Sequence, residues 1–125
     1  MLPRISNVPQ LNNVVSDYLH ELQKQHFEGD IASNYADRLS LATDNSVYQQ
    51  LPQAILFPKS VADVVRITKL ANKEKYLQLT FTPRGGGTGT NGQSLNNNII
   101  VDLSRHMTGI LELNIQESWV RVQAG

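Results

Sequence analysis

Cysteine is absent from the 125 residues, which excludes disulfides, thiolate metal sites and an iron–sulfur cluster held by this stretch. An excess of either charge is also missing, since 11 Lys and Arg stand against 11 Asp and Glu. Without a basic stripe to neutralise a phosphate backbone, nucleic acid is not an expected partner. No apolar run approaches the roughly 20 residues that span a bilayer, and Met1-Leu2-Pro3-Arg4 lacks the charged-then-apolar build of a signal peptide. These absences set the expectation of a soluble cytoplasmic domain, at most peripheral to the inner membrane face. The length suits one domain with a modest core.

What is present is periodic. From Pro9, the residues Leu11, Val14, Val15, Tyr18, Leu19 and Leu22 recur at three-and-four spacing, the stripe of an amphipathic helix over about 9–26. Gly29 is the expected stop, because glycine takes the left-handed conformation at no steric cost. Ser33 to Arg38 suits a short helix, with Asp37-Arg38 as a surface ion pair or a contact with another part of the protein. The segment 40–53 reads as loop, and its Thr43-Asp44-Asn45-Ser46 is rich in residues that bond their own backbone in turns.

Ala54-Ile55-Leu56-Phe57, between Pro52 and Pro58, predicts a short buried strand. Ser60, with Asp63 three residues on, predicts a helix start, and Val61, Val64, Val65, Ile67, Leu70 and Ala71 supply an apolar face up to about Lys73. Lys69, Lys73, Glu74 and Lys75 read as a solvated face. Leu77 to Thr82, Ile99 to Leu103, Ile110 to Ile115 and Trp119 to Gln123 predict further strands, the third alternating as a half-buried strand does. Asn96-Asn97-Asn98 reads as a turn, and Trp119, alternating with Arg121, as core or interdomain packing. The expected class is α+β: a β-α-β unit over 54–82 with parallel strands and a right-handed crossover, then antiparallel strands, with two principal helices on one side. Ala124-Gly125 follows a predicted strand without a polar tail, the expectation for a truncated domain.

Five of the eight glycines fall within Pro83-Arg84-Gly85-Gly86-Gly87-Thr88-Gly89-Thr90-Asn91-Gly92, directly after a predicted strand. Consecutive glycines let successive N–H groups converge on an anion, with no Cβ to hold a phosphate away. Arg84 adds a charged fork beside them. Gly87, Gly89 and Gly92 satisfy G-x-G-x-x-G, but the dinucleotide fingerprint needs a helix to start at that turn, and only Gln93 to Asn98 separate Gly92 from the next strand. A P-loop also fails, for want of Gly-Lys-Ser/Thr. Two other readings stay open: a non-catalytic phosphate- or nucleotide-binding module using the same loop, and a structural domain whose glycines only turn the chain.

In order along the chain, four segments carry a family resemblance: Leu41-Ala42-Thr43-Asp44-Asn45-Ser46 with Tyr48; Pro52 to Ser60 with Asp63-Val64; Pro83-Arg84-Gly85-Gly86-Gly87-Thr88-Gly89; and Ile99 to Met107. Val120 to Gly125 also fits. Over about 41–125 the chain resembles the first half of the FAD-binding PCMH-type module of the vanillyl-alcohol oxidase superfamily, in its glycolate oxidase and D-lactate dehydrogenase branch. Residues 1–40, a helical extension, are similar to that of large bacterial D-2-hydroxyacid dehydrogenases that join the module to iron–sulfur domains.

The resemblance implies FAD, its pyrophosphate wrapped by Arg84, Gly85, Gly86, Gly87, Thr88, Gly89 and Thr90. Asn91, Gly92, Ser94 and Leu95 would run beside the flavin ring, and Thr43, Asp44 and Pro58 would shape the adenine or pyrophosphate side. Relatives that attach FAD covalently through this loop carry a histidine near the position of Thr88; none stands here, which implies non-covalent FAD. An iron–sulfur cluster would belong only to the part of the protein beyond these residues. The partners implied are the rest of the same chain, namely a second FAD subdomain and a substrate domain, and a small 2-hydroxyacid, with the electron acceptor left open. By the same resemblance the catalytic groups lie elsewhere, and the fragment alone is expected to be inactive.

Other constellations carry little. His20, His26 and His106 lack metal-ligand spacing, and the first two suit the C-terminal half of the first helix. No G-x-S-x-G elbow supports a hydrolase triad. Asp44 and Asp102 equally suit turn and strand-end caps.

Overall fold

The computed structural model describes residues 10–125; the readings placed on Met1 to Arg4 and on Pro9 lie outside the described residues. Helix α1 (Asn13–Lys24) starts at Asn12, whose side chain accepts the Val14 N–H at 2.9 Å, and buries Val15, Tyr18, Leu19 and Leu22. It stops before Gly29. His26 takes the left-handed turn, with φ of 59°, and Gly29 answers a different need: a Cβ there would run into the Phe57 carbonyl and the Phe27 ring.

Strand β1 (Asp30–Ala32) pairs antiparallel with β2 (Ala54–Phe57). Three half-buried residues carry no alternation, so β1 has no sequence signature. Helix α2 (Tyr35–Ser40) is capped by Asn34. Arg38 corrects the surface ion pair expected for Asp37-Arg38: it is 2% exposed, its Nε donating to the Pro52 carbonyl at 2.7 Å, while Asp37 bonds back to Asn34.

Helix α3 (Val61–Ala71) is capped as its serine predicts, Ser60 Oγ accepting the Asp63 N–H at 3.2 Å. The Asp63 carboxylate, fully buried, accepts from the amides of Glu28 and Lys59 and from Arg66, each at 3.0 Å. Turning Asp63 inward aligns Ile67 and Leu70 with it and rotates Val61 and Val65 outward; those two valines do not belong to the apolar face.

After a 3-10 turn at Glu74–Tyr76 come β3 (Phe81–Arg84) and β4 (Ile99–Asp102). The sheet order is β1-β2-β4-β3. The strands β2 and β3 are parallel as expected, but β4 lies between them and is parallel to both, which corrects the expectation that only antiparallel strands follow. Both central strands are buried along their whole length, as their unbroken apolar runs require. Pro83 is accommodated because β3 is an edge strand.

One face of the sheet, with Ala54, Leu56, Ile99 and Val101, packs against α1 and α3; the expected two principal helices do share one side. Short helices such as these are marginal alone and are held by that packing. Tyr18 ties them directly, its hydroxyl donating to the Ile67 carbonyl at 2.9 Å. The other face carries Ile55, Phe57 and Ile100 against Ala32 and Leu41.

The remaining strands, β5 (Ile110–Asn114) and β6 (Trp119–Val122), form a two-stranded antiparallel sheet of their own. The half-buried strand expected over 110–115 is instead mostly exposed, Ile110, Leu111 and Leu113 among it, because β5 pairs with β6 alone. Trp119 does not enter the core: its Nε1 donates to Glu117, and Arg121 lies 5.6 Å from its ring. Among the described residues no helix is long and apolar enough to cross a membrane.

Candidate functional site

Arg84 pairs with Asp102 where the parallel strands β3 and β4 end together, and the rim beyond the carboxyl ends of parallel strands is where open sheets bind ligands. From that rim residues 85–98 return the chain to the start of β4 through turns, without a helix. The absence of a dinucleotide-type helix after Gly92, read from the short spacing, therefore holds. Asn96 directs the return: buried, it accepts from the Thr80 hydroxyl at 2.9 Å and from the Asn98 N–H at 2.7 Å, and donates to the Thr82 hydroxyl at 2.9 Å. It is a fixed internal post, more than the simple turn the three asparagines suggest.

The loop's glycines divide into two sets. Gly87 and Gly92 have φ of 66° and 74°, a region that favours glycine. A Cβ on Gly87 would meet the Arg84 guanidinium carbon at 2.8 Å, one on Gly89 the Gln93 Oε1 at 2.7 Å, and one on Gly92 the Tyr48 ring at 3.0 Å. These three are packed against the protein itself. Gly85 has nothing within 4 Å of its missing Cβ, and Gly86 only the Thr88 methyl at 3.6 Å. Their open side is a surface that protein atoms do not need. Among the described residues, no N–H from Gly85 to Thr90 donates to a protein acceptor, so consecutive donors are left for a ligand.

Arg84 lies under this loop. One terminal nitrogen donates to the Thr43 carbonyl at 2.9 Å, and the other, NH1, is buried without a partner. A second segment is bound to the loop from the side. The Asn45 N–H donates to the Gly87 carbonyl at 3.1 Å, and the Ser94 hydroxyl donates to Asp44 at 3.0 Å. Asp44 also accepts the Ser46 N–H at 2.8 Å. Hydrogen bonding from Ser46 foremost, with Ser94 and the charge of Arg84 assisting, holds the Asp44 carboxyl below its ordinary value.

Of the residues singled out in the sequence, Gly85, Gly86, Thr88, Thr90 and Asn91 are exposed on the loop, while Gly87, Gly89 and Gly92 are half-buried beneath it. Ser94 and Leu95 are buried. Leu95 lines a cleft of about 280 Å³ with Tyr48, Gln50, Asn91 and Gly92. Pro58 is buried at the end of β2, and Thr43 reaches the loop through its carbonyl. Asp102 caps the rim, accepting the Ser104 N–H at 2.9 Å. Tyr48 packs against Gly92, a contact that no local pattern predicts.

The histidines stand apart from the loop. His106 Nε2 lies 2.6 Å from Asp30, which also faces Lys59 and Arg105; the His106 hydrogen bond is the main reason the Asp30 carboxyl sits below its ordinary value. Among the described residues no group of His, Asp and Glu could hold a metal ion. A larger groove of about 520 Å³ between α3 and β3, lined by Val64, Ile67, Leu77, Leu79, Phe81 and Leu103 among others, is mainly apolar and does not include the loop. It offers nothing to a phosphate.

The rim therefore fits a pyrophosphate on its own geometry: consecutive unengaged N–H donors, two glycines with no Cβ in the way, exposed Thr88 and Thr90 hydroxyls, and an arginine beneath. A family described as "FAD binding domain" matches residues 52–125. The chain is 78% identical over all its 125 residues to a D-2-hydroxyglutarate dehydrogenase from Haemophilus influenzae, and 58% identical over the same span to one from Escherichia coli. It spans 12% of the length of each of those relatives. A solved alkyldihydroxyacetonephosphate synthase shares the fold, with a TM-score of 0.70 at 19% identity, covering 89% of this chain and 22% of that one.

Proposed function

Since this chain belongs to the FAD-binding domain family, we propose that it is the N-terminal, pyrophosphate-holding part of a larger flavin-dependent dehydrogenase that oxidises a D-2-hydroxyacid, D-2-hydroxyglutarate first among them, to the 2-oxoacid. The observation that carries this reading is the 78% identity sustained across the whole chain with a D-2-hydroxyglutarate dehydrogenase. Identity at that level across all 125 residues supports a common role for the chain as a whole.

The chemistry that FAD would supply when bound is a two-electron acceptor for the hydride equivalent from the substrate's α-carbon. The residues of this chain bind and orient it. The amides from Gly85 to Thr90 would take the pyrophosphate oxygens, with the Thr88 and Thr90 hydroxyls as further donors and Asn91, Gly92, Ser94 and Leu95 toward the flavin side. Attachment is non-covalent, in keeping with threonine at position 88. Substrate-binding and proton-accepting groups belong to the rest of the chain, so these 125 residues alone are inactive, and any iron–sulfur cluster lies outside them, as they contain no cysteine.

The test is turnover by the full-length protein with an artificial electron acceptor. D-2-hydroxyglutarate should reduce the acceptor and its L-enantiomer should not. A FAD-loaded protein that ignores D-2-hydroxyacids of three to five carbons would overturn the substrate assignment and leave the flavin assignment standing.

A further inference from the structure

Taking the FAD reading of the loop as given, we infer that Arg84 is a positioning residue that braces the cradle from below, and not a ligand of the pyrophosphate. An arginine beside glycines invites the opposite assignment, because its fork suits phosphate oxygens. The geometry assigns it elsewhere. One nitrogen is committed to the Thr43 carbonyl at 2.9 Å. The flat of the guanidinium lies where a Gly87 side chain would be, its Cζ and Nε at 2.8 and 3.1 Å from the position of the missing Cβ. NH1, the nitrogen without a partner, is sealed from solvent, so a ligand arriving on the open side of Gly85 and Gly86 meets backbone N–H groups first.

Arg84 thus fills the space between two chain segments that are also stitched directly by the Asn45 N–H to Gly87 carbonyl bond at 3.1 Å. Gly87 arches over the guanidinium with its φ of 66°, in the middle of the run 85–90 whose N–H groups have no protein acceptor. The guanidinium acts through the arch. Its plane is what fits there: a lysine keeps the charge but lacks the flat body under Gly87.

The experiment uses the full-length protein stripped of flavin, with FAD affinity read by flavin fluorescence and the melting temperature of each apo-protein read in parallel. Arg84→Lys should weaken FAD as much as Arg84→Ala, each by about tenfold or more, because charge without the planar brace does not hold the arch. Gly87→Ala should also weaken it, and the Arg84→Ala/Gly87→Ala pair should be within about threefold of the worse single variant, since both remove the same arrangement. Arg84→Lys retaining affinity within about threefold of the parent would overturn the inference, as charge alone would then suffice. So would multiplying effects in the double variant, the mark of independent contacts. If Arg84→Ala does not fold, the pair is built with Arg84→Lys and Gly87→Ala, and the same non-additivity decides. A parent protein that binds no FAD at all would instead overturn the cofactor reading on which this inference rests.

Discussion

The buried strands β2 and β4 and the glycine rim above them are separated by a few residues and obey opposite rules. Along Ala54 to Phe57 and Ile99 to Asp102 every position is buried and every side chain is set by its neighbours. At Gly85 and Gly86 the missing side chains face open space and the amides have no protein partner. A sheet floor filled by its own side chains needs nothing more, whereas a rim left open in this way has space and donors to offer. Gly87 and Gly92 mark the boundary, with positive φ and protein atoms crowding them, while Gly89 meets only the end of the Gln93 side chain.

If that contrast is right, substitutions in the floor change stability and leave cofactor affinity alone, and substitutions at the rim do the reverse. The largest effect belongs to the floor. Leu56→Ala, at a fully buried position in the main core, should cost about 2–5 kcal/mol, read by thermal or denaturant unfolding, while the molecules that remain folded bind FAD as before. At the rim, Gly86→Val should place its side chain where the ligand sits and cut FAD affinity by about a hundredfold, equivalent to about 2.7 kcal/mol, with the melting temperature unmoved. A fall in melting temperature with unchanged affinity would invert the comparison.

Asp63→Ala sharpens it within the helical cover. It leaves the Glu28 and Lys59 amides without their acceptor and should cost about 1–3 kcal/mol, visible as faster hydrogen exchange at the start of α3, without a change in FAD affinity. Ser94→Ala removes the hydroxyl that ties Asp44 to the loop and should weaken FAD by roughly threefold to tenfold, a titration readily resolves.

The smallest effect concerns pH. Hydrogen bonds from Lys73, then Lys75 and Tyr76, hold the Glu21 carboxyl at about 2, below its ordinary 4.5. A depressed carboxyl stabilises the fold above about 4.5 and loses that contribution as pH falls toward about 2. The stability difference between the parent and Glu21→Gln should therefore shrink across that window, with FAD affinity equal in both at neutral pH. A difference that stays constant down to pH 2 would deny the link between α1 and the turn at 74–76.

The floor was far more legible in the sequence than the arrangement of the rim. Ala54 to Phe57 and Ile99 to Val101 declare themselves as unbroken apolar runs, and the Ser60 cap and the stripe of α1 follow from local chemistry that tertiary packing did not override. β1 had no signal because three residues are too few to show a period. The insertion of β4 between β2 and β3 was invisible for a different reason: strand order is decided by the path of residues 85–98, and that path depends on the buried Asn96, whose partners lie 16 and 14 residues away. At the rim the glycines stand out in the sequence as a group, but their division into crowded and open members depends on how Arg84 and Gln93 fold back on the loop and on Tyr48 arriving from another part of the chain. The tie from Thr43-Asp44-Asn45 to the loop left a partial trace, since turn-forming residues in a row promise a fixed backbone without saying what it is fixed against.

The central claim is that the open side of the rim holds the FAD pyrophosphate without a covalent bond. Its most direct measurement is the visible absorption spectrum of the full-length protein as purified, before and after denaturation and filtration, alongside Gly86→Val. The account predicts flavin bands in the parent, all of the chromophore in the filtrate after denaturation, and a folded, colourless variant. Flavin retained on the denatured chain, or a Gly86→Val protein as yellow as the parent, would contradict it.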